Sequence, residues 1–211
     1  MINYYSFIIK FIPKSIKLFL KNIYYNLTGN FITKKIKGNK EDYLKVFNSI
    51  KDKEYKIINN FIKKNYLKDI DKKFLNDLAF ISQISIKESE VNFQHGRLIY
   101  SLLDMYIKNS KSRLDNFLFV DVGTAKGFSS IVISKCACDN NINFKVLSFD
   151  IIPHDKKIFW NSVKDVDGKL SRENLLIDYS DYTKNINYIQ GRTIKKLNMI
   201  SKDERINFAF L

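Results

Sequence analysis

One stretch of this 211-residue chain constrains its fold more than any other. A short apolar run, Phe117 to Val120, leads into the loop Asp121-x-Gly123-x-x-x-Gly127, and a helical pattern follows over 129–137. A continuous apolar run of this length is typical of a strand buried on both faces of a parallel sheet. Glycines at a strand–helix junction let a ligand approach the backbone closely, where the N–H groups of the helix N-terminus lack partners. The stretch predicts a ligand-binding loop in an α/β fold.

Strand and helix patterns continue to alternate after this loop. Strands are predicted at 144–149, followed by Asp150, at 186–189, closed by Gly191, and at 206–211, with a helix over 193–200. This alternation favours βαβ units and a mainly parallel sheet. We therefore predict an α/β domain with a mainly parallel sheet over 116–211.

The region before this domain has helical periodicity. Apolar residues recur at helix spacing between 41 and 107, most clearly over 97–106. The sequence has no Pro- or Gly-rich linker between this region and the strands. Residues 41–115 are therefore predicted to form helices that pack on the domain.

The first 40 residues form a third segment, set apart by charge. They contain eight lysines and no acidic residue, so they supply +8 of the net charge of +14. Four lysines between positions 10 and 21 share one face of a helix, and bulky apolar residues lie largely elsewhere. A basic amphipathic segment over 1–37 is typical of binding to an anionic membrane surface. The alternative is a helix packed on its own domain or on a partner subunit in an oligomer.

Composition limits the cellular compartments and the binding partners that we expect for this chain. The two cysteines, Cys136 and Cys138, have a spacing that suits neither a disulfide framework nor a four-ligand zinc site, so reduced thiols in a cytoplasmic protein are predicted. No apolar stretch of the sequence reaches the length of a membrane span. Lysine carries most of the charge, whereas base readout favours arginine, so a nucleic-acid partner is disfavoured. Binding through 1–37 would place the protein at the inner face of the membrane.

Two other kinds of glycine-rich loop fit the sequence worse. A dinucleotide fingerprint needs Gly-x-Gly-x-x-Gly, but Ala125 stands at its second glycine. A phosphate-binding P-loop needs Gly-Lys followed by Ser or Thr, but Phe128 follows Gly127. The loop therefore predicts neither of these nucleotide sites.

The loop and the strand ends resemble those of class I S-adenosylmethionine-dependent methyltransferases, over roughly 89–211. The resemblance implies that 116–211 is an incomplete Rossmann-like α/β domain comprising the first four strands of that fold. In that family the acidic residue and the glycines of the first motif surround the methionine part of the cofactor, and an acidic residue after the second strand holds the ribose hydroxyls. A carboxylate suits the ribose because it accepts two hydroxyl hydrogen bonds. The resemblance implies a cofactor-binding set at the matching positions and their neighbours: Asp121, Gly123, Thr124, Gly127, Phe128, Ser129, Asp150, Ile151, Gly191 and Arg192.

The loop after the third strand borders the adenine in this family, and many relatives have an acidic residue where this chain has Arg192. Residues 89–97, and an unusually long link that includes 152–155, 160–161 and 165–172, are similar to a bacterial subgroup often encoded among genes for surface-sugar or natural-product assembly. The implied activity is methyl transfer to a hydroxyl oxygen of a small molecule or sugar. The alternatives are a non-catalytic membrane-associated binding module and a nucleic-acid methyltransferase.

His95 and His154 are the two histidines and are candidates for a general base, which the family pattern does not assign. His154 follows Asp150 by four residues and is a candidate for the substrate site, whereas His95 is expected to bond backbone near the start of its helix. Trp160 is expected to pack within the link, with stacking on cofactor or substrate as the alternative. The sequence assigns no catalytic residue and no metal ligand.

The last predicted strand ends at Leu211. In the family, the fourth strand is followed by an acidic residue, an active-site loop and three more strands, and the loop frequently supplies a metal ligand or a base. The chain is therefore expected to be a C-terminally truncated fragment that is inactive alone. The alternative is a minimal protein that completes its sheet with another chain.

Overall fold

The computed structural model describes residues 13, 16, 20, 38–87, 89–110, 112, 114–200 and 204–211. The chain divides into two units, 1–33 and 34–211. Only Pro13, Ile16 and Leu20 of the first unit are described, so the basic segment predicted over 1–37 and its membrane or subunit partners otherwise lie outside the described residues. None of the described helices is both long and apolar enough to cross a membrane.

Four parallel strands form one sheet in the order β3-β2-β1-β4. The strands are β1 (Phe117–Val122), β2 (Phe144–Asp150), β3 (Ile186–Gln190) and β4 (Ile206–Phe210). The chain proceeds outward from β1 to β2 and β3, and then returns to the other side of β1 to form β4. This is the order of the first four strands of a Rossmann-like sheet, in which ligands bind where the order reverses, here between β1 and β4. The predicted fold class is confirmed.

The N-terminal region of the second unit is helical, as its periodicity predicts. Its helices are α1 (Lys40–Ile50), α2 (Lys56–Lys64), α3 (Lys72–Ser82) and α4 (His95–Ser110). Asn39 and Asp42 form a capping box at the start of α1, and Asp71 caps α3. One apolar core joins these helices to the sheet.

Helix α5 (Phe128–Asp139) connects β1 to β2 and packs against α4. Gly96 permits this contact, because a Cβ on Gly96 would lie 2.7 Å from Cζ of Phe128. Both cysteines lie on α5 as free thiols, and Cys136 is buried. The tight helix contact brings the first turn of α4 to the carboxyl end of the sheet.

Residues 151–185, here termed the β2–β3 link, contain short elements only. They are a 3₁₀ helix at Val163–Asp167, α6 (Arg172–Leu175), a 3₁₀ helix at Ile177–Tyr179 and α7 (Ser180–Thr183). Ile158 and Leu170 form an isolated antiparallel bridge. After β3, the predicted helix over 193–200 is divided into α8 (Thr193–Lys196) and a 3₁₀ turn at Leu197–Met199.

Candidate functional site

The loops that follow β1, β2 and β3 are all tied to Asp150. Its Oδ2 accepts a hydrogen bond from the Ala125 N–H at 2.6 Å, and its Oδ1 accepts one from the Ile152 N–H at 2.7 Å. Its backbone oxygen accepts a hydrogen bond from the Gly191 N–H at 2.7 Å. Asp150 is 8% exposed, so it is buried beneath the three loops that meet at the carboxyl end of the sheet.

Asp121 is buried under the first turn of α5. Its Oδ2 accepts hydrogen bonds from Ser129 Oγ at 2.9 Å and from Ser130 Oγ. Because the Ser130 proton goes to the carboxylate, Thr124 Oγ1 and Ser148 Oγ, at 2.7 and 2.9 Å, donate to Ser130 Oγ. Burial raises the pKa of Asp121, and the hydroxyl hydrogen bonds oppose that rise. Its Oδ1 is buried without a partner among the described residues, so it remains an acceptor for a ligand donor.

The two glycines of the loop have different surroundings. Gly123 and Gly127 both have left-handed backbone, with φ of +79° and +93°. A Cβ on Gly127 would lie 2.6 Å from Cδ1 of Leu176, whereas a Cβ on Gly123 would meet no atom within 4 Å. The loop is therefore closed on the side of the β2–β3 link and open beside Gly123. Phe128, which begins α5 directly afterwards, is buried.

Arg172 is a functional candidate that the sequence analysis does not single out. Its Nε donates to the backbone oxygen of Ala125 at 2.9 Å and its Nη2 to that of Ile152 at 3.4 Å. The guanidinium Cζ lies 5.5 Å from the ring centroid of Trp160 and 4.9 Å from that of Tyr188. Burial lowers the pKa of Arg172, and the charge of Asp150 opposes that effect. The side chain joins the middle of the β2–β3 link to the start of the same link and to the loop after β1.

The two residues predicted for the substrate side lie in the same link. Trp160 is 3% exposed and donates from Nε1 to the backbone oxygen of Leu170 at 2.8 Å, which is the packing role expected for it. The ring of His154 lies 6.4 Å from that of Tyr188, and its Nδ1 is buried without a partner among the described residues. Both side chains are therefore near the loops that meet at Asp150, and Trp160 offers little surface to a ligand.

His95 lies at the position where the strand order reverses. It is the first residue of α4, and its ring is 5.0 Å from that of Phe128 and 6.2 Å from that of Phe210, the last residue of β4. Phe210 pairs with Asp121 across the two strands. Burial lowers the pKa of His95. The backbone hydrogen bond expected for this side chain is not found among the described residues, because the ring packs between two aromatic side chains instead.

Three further predicted positions lie at the outer side of this edge. Ile151 is 52% exposed, and Arg192 is exposed in the loop after β3. Gly191 has a φ of +138°, and the atoms nearest to a Cβ there would belong to the flexible side chain of Lys196. All three residues follow the ends of β2 and β3, next to Asp150.

Lys126 ties the glycine loop to two other regions. Its Nζ donates to Ser85 Oγ at 2.7 Å and to the backbone oxygen of Asn161 at 2.9 Å. Asn161 Oδ1 in turn accepts hydrogen bonds from Tyr43 Oη at 2.8 Å and from the Ile86 N–H at 3.2 Å. Burial lowers the pKa of Lys126 to about 7. Within the described residues, no group of three or more His, Cys, Asp or Glu side chains is arranged to hold a metal ion.

No family model matches the chain, and no curated protein is similar to it in sequence. Similar solved structures include a candidate O-methyltransferase from Klebsiella pneumoniae, with 13% identity, a TM-score of 0.42, and coverage of 74% of this chain and 58% of that one. The O-methyltransferase TomG from Streptomyces achromogenes, in complex with S-adenosylmethionine, has 12% identity, a TM-score of 0.38, and coverage of 68% and 54%. A candidate caffeoyl-CoA O-methyltransferase from Staphylococcus aureus has 14% identity, a TM-score of 0.31, and coverage of 75% and 54%.

The chain thus spans a little over half the length of these three structures. Their names agree with the methyltransferase resemblance of the sequence. Since every TM-score is below 0.5, they add no argument about function. That argument rests on the residues of the site.

Proposed function

We propose that the protein transfers a methyl group from S-adenosylmethionine to a hydroxyl oxygen of a small molecule or sugar. The observation that carries the proposal is the convergence of three strand-end loops on Asp150. Its carboxylate binds the glycine loop through Ala125, and its backbone oxygen binds the loop after β3 through Gly191. Positions that the methyltransferase resemblance assigns to the methionine, ribose and adenine parts of one ligand are therefore adjacent.

The residues present fit the cofactor that the resemblance implies. A carboxylate has about four lone-pair sites, and two backbone N–H groups use only two of those on Asp150, so two remain for ribose hydroxyls. Asp121 Oδ1 is buried and has no partner in the described part of the chain. The open space beside Gly123 leaves room for the methionine part.

When bound, S-adenosylmethionine supplies a methyl group already activated on a sulfonium centre. The work left to the chain is to orient the acceptor hydroxyl and to accept its proton. His95 is suited to accept the proton because it lies over the crevice between β1 and β4. Since burial lowers its pKa, the imidazole is neutral at pH 7.

The proposal is tested by calorimetric titration of S-adenosylmethionine into the full-length protein and its Asp150→Ala and Asp150→Asn variants. We expect wild type to bind and both variants to bind about tenfold more weakly or worse, a loss of about 1.4 kcal/mol that is typical of a charge-assisted hydrogen bond. Asp155→Ala removes an exposed carboxylate of the same link and should bind within about twofold of wild type.

A folded wild-type protein that does not bind S-adenosylmethionine would contradict the proposal, as would unchanged binding by the Asp150 variants. The first outcome would favour the non-catalytic membrane-associated module. Binding to anionic vesicles, with and without residues 1–37, then tests that alternative. The deletion removes seven lysines and should abolish an electrostatic interaction.

A further inference from the structure

We infer that Arg172 is a positioning residue of the cofactor site, acting through the same two residues that Asp150 holds. Asp150 accepts hydrogen bonds from the N–H groups of Ala125 and Ile152, and Arg172 donates to the backbone oxygens of those two residues. The inference rests on the proposed function, because it concerns the same site. If Arg172 has this role, the β2–β3 link takes part in cofactor binding.

The geometry fixes the backbone on both sides of each held residue. The N–H and the C=O of one residue belong to successive peptide planes, and the angle between these planes is set by φ and ψ. Asp150 fixes the first plane at Ala125 and Arg172 fixes the second. The same division applies at Ile152. Together the two side chains therefore set the backbone conformation of both loops.

Ala125 needs this restraint more than its neighbours do. Its φ is +47°, a left-handed conformation that disfavours an L-residue with a Cβ by roughly 1–2 kcal/mol. Without the hydrogen bond from Arg172, the peptide plane after Ala125 is free to rotate toward a right-handed or extended conformation. Because a right-handed or extended conformation has a negative φ, the angle between the two planes would change, and the hydrogen bond from the Ala125 N–H to Asp150 would last only if the rest of the loop moved.

Arg172 is itself held rigidly, which a positioning residue requires. It is 1% exposed, and its guanidinium lies between the rings of Trp160 and Tyr188. Its backbone N–H donates to the backbone oxygen of His154 at 3.0 Å. Arginine suits this place because its planar fork reaches two acceptors at once, whereas the lysine ammonium is a single point of contact.

The test is a double-mutant cycle on S-adenosylmethionine binding, measured by calorimetry on full-length wild type, Arg172→Lys, Asp150→Asn and the double variant. We expect Arg172→Lys to weaken binding about tenfold. Since both side chains act through Ala125 and Ile152, the double variant should bind at most about threefold more weakly than the weaker single variant. Arg205→Lys changes an exposed arginine before β4 and should leave the affinity within about twofold of wild type.

A merely structural role for Arg172 predicts a different result. It would lower the melting temperature of the ligand-free protein, while the folded fraction at 10 °C, roughly 30 °C or more below a typical melting temperature, would bind with wild-type affinity. Arg172→Gln provides a second variant should Arg172→Lys not fold, since its amide still donates to one carbonyl oxygen.

The outcomes separate the two proposals. Unchanged affinity in the folded Arg172 variants, or losses that simply add in the double variant, would overturn the role of Arg172 and leave the proposed function intact. Absence of binding by folded wild type would instead overturn the proposed function, and the role of Arg172 with it.

Discussion

The glycine-loop region, 116–150, and the β2–β3 link, 151–185, contribute to the same site by different means. The first is regular: β1 pairs with β2 along its length, and α5 joins them. The link has one isolated bridge and is held by polar contacts to distant residues, such as the hydrogen bond from Ser162 Oγ to the Ile81 oxygen at 2.6 Å. The comparison shows how an irregular segment can have a defined conformation. Its side chains form hydrogen bonds with backbone groups far away in the sequence.

The largest expected effect comes where the two regions touch, at Gly127. Gly127→Ala places a Cβ 2.6 Å from Cδ1 of Leu176, in a left-handed conformation that alanine disfavours. We expect the free energy of unfolding to fall by about 2–4 kcal/mol, the sum of backbone strain and overpacking. Urea denaturation measures the loss.

Gly123→Ala is the matched control, because its φ is also left-handed but its Cβ would have no neighbour within 4 Å. It should lower the free energy of unfolding by about 1–2 kcal/mol, the strain alone. Equal losses for the two glycines would show that the link does not press on the loop.

The second effect lies within the link, at Asn161. Asn161→Ala removes the acceptor of Tyr43 Oη and of the Ile86 N–H. We expect a loss of about 2–3 kcal/mol in the free energy of unfolding, because these two hydrogen bonds and the one from Asn161 Nδ2 to the Ile86 oxygen at 3.2 Å are lost together. Asn161→Asp keeps the acceptor oxygen and loses only the donor to the Ile86 oxygen, so comparing it with Asn161→Ala separates the two contributions. A loss below about 0.5 kcal/mol for Asn161→Ala would show that the link is a loosely attached surface segment.

A smaller, pH-dependent effect concerns Lys126, which belongs to the loop but bonds to the link. Its pKa is about 7 in the folded protein and near 10.5 when unfolded. Between these values the unfolded state binds more protons, so this residue makes the protein more stable as pH rises. We expect Lys126 to raise the free energy of unfolding by up to about 1.4 kcal/mol for each pH unit above pH 7. Near pH 6 both states are protonated, and this pH dependence should be absent.

Urea denaturation of wild type and Lys126→Met at pH 6, 7 and 8 measures this contribution. The difference between the two proteins cancels groups that titrate in both, such as the buried Cys136 thiol, whose pKa is raised. A difference that does not change with pH would show that the ammonium stays charged in its bonds to Ser85 and Asn161.

The smallest effect is expected on the pKa of His95, which lies beside β4 and outside the two regions compared. Because burial lowers its pKa, an NMR titration of the imidazole should give a value below 6.5. Phe210→Ala exposes the ring to water and should move the value back toward 6.5. A pKa above 6.5 in wild type would show that burial does not control the titration of His95.

The sequence predicts the regular region closely, since local patterns determine it. All four strands begin at the predicted residue, and β1 continues to Val122 because Asp121 and Val122 still pair with Ser148 and Phe149. Within the region predicted to be helical, α4 corresponds to the run with the clearest periodicity. Strand ends also predict which loops meet, because parallel strands end at one edge.

The contacts of the link could not be predicted, because they join residues far apart in sequence. Arg172 and Ala125 are separated by 47 positions, and no spacing rule connects them. One signal was present: the chain has only five arginines among its 36 basic residues, so each stands where lysine was the common choice. An arginine within the link therefore marks a position that needs a planar, two-pronged donor.

The pairing of β4 with β1 has a consequence for the order of events during synthesis. Leu118 donates its N–H to Asn207 Oδ1, a residue that leaves the ribosome 89 positions later. By then the chain of β1, β2, β3 and α5 has already emerged, and the three loops around Asp150 can assemble. The crevice beneath His95 closes only when β4 adds to the edge of β1. We therefore expect the half of the site around Asp150 to take shape first on the nascent chain, and the half around His95 to follow.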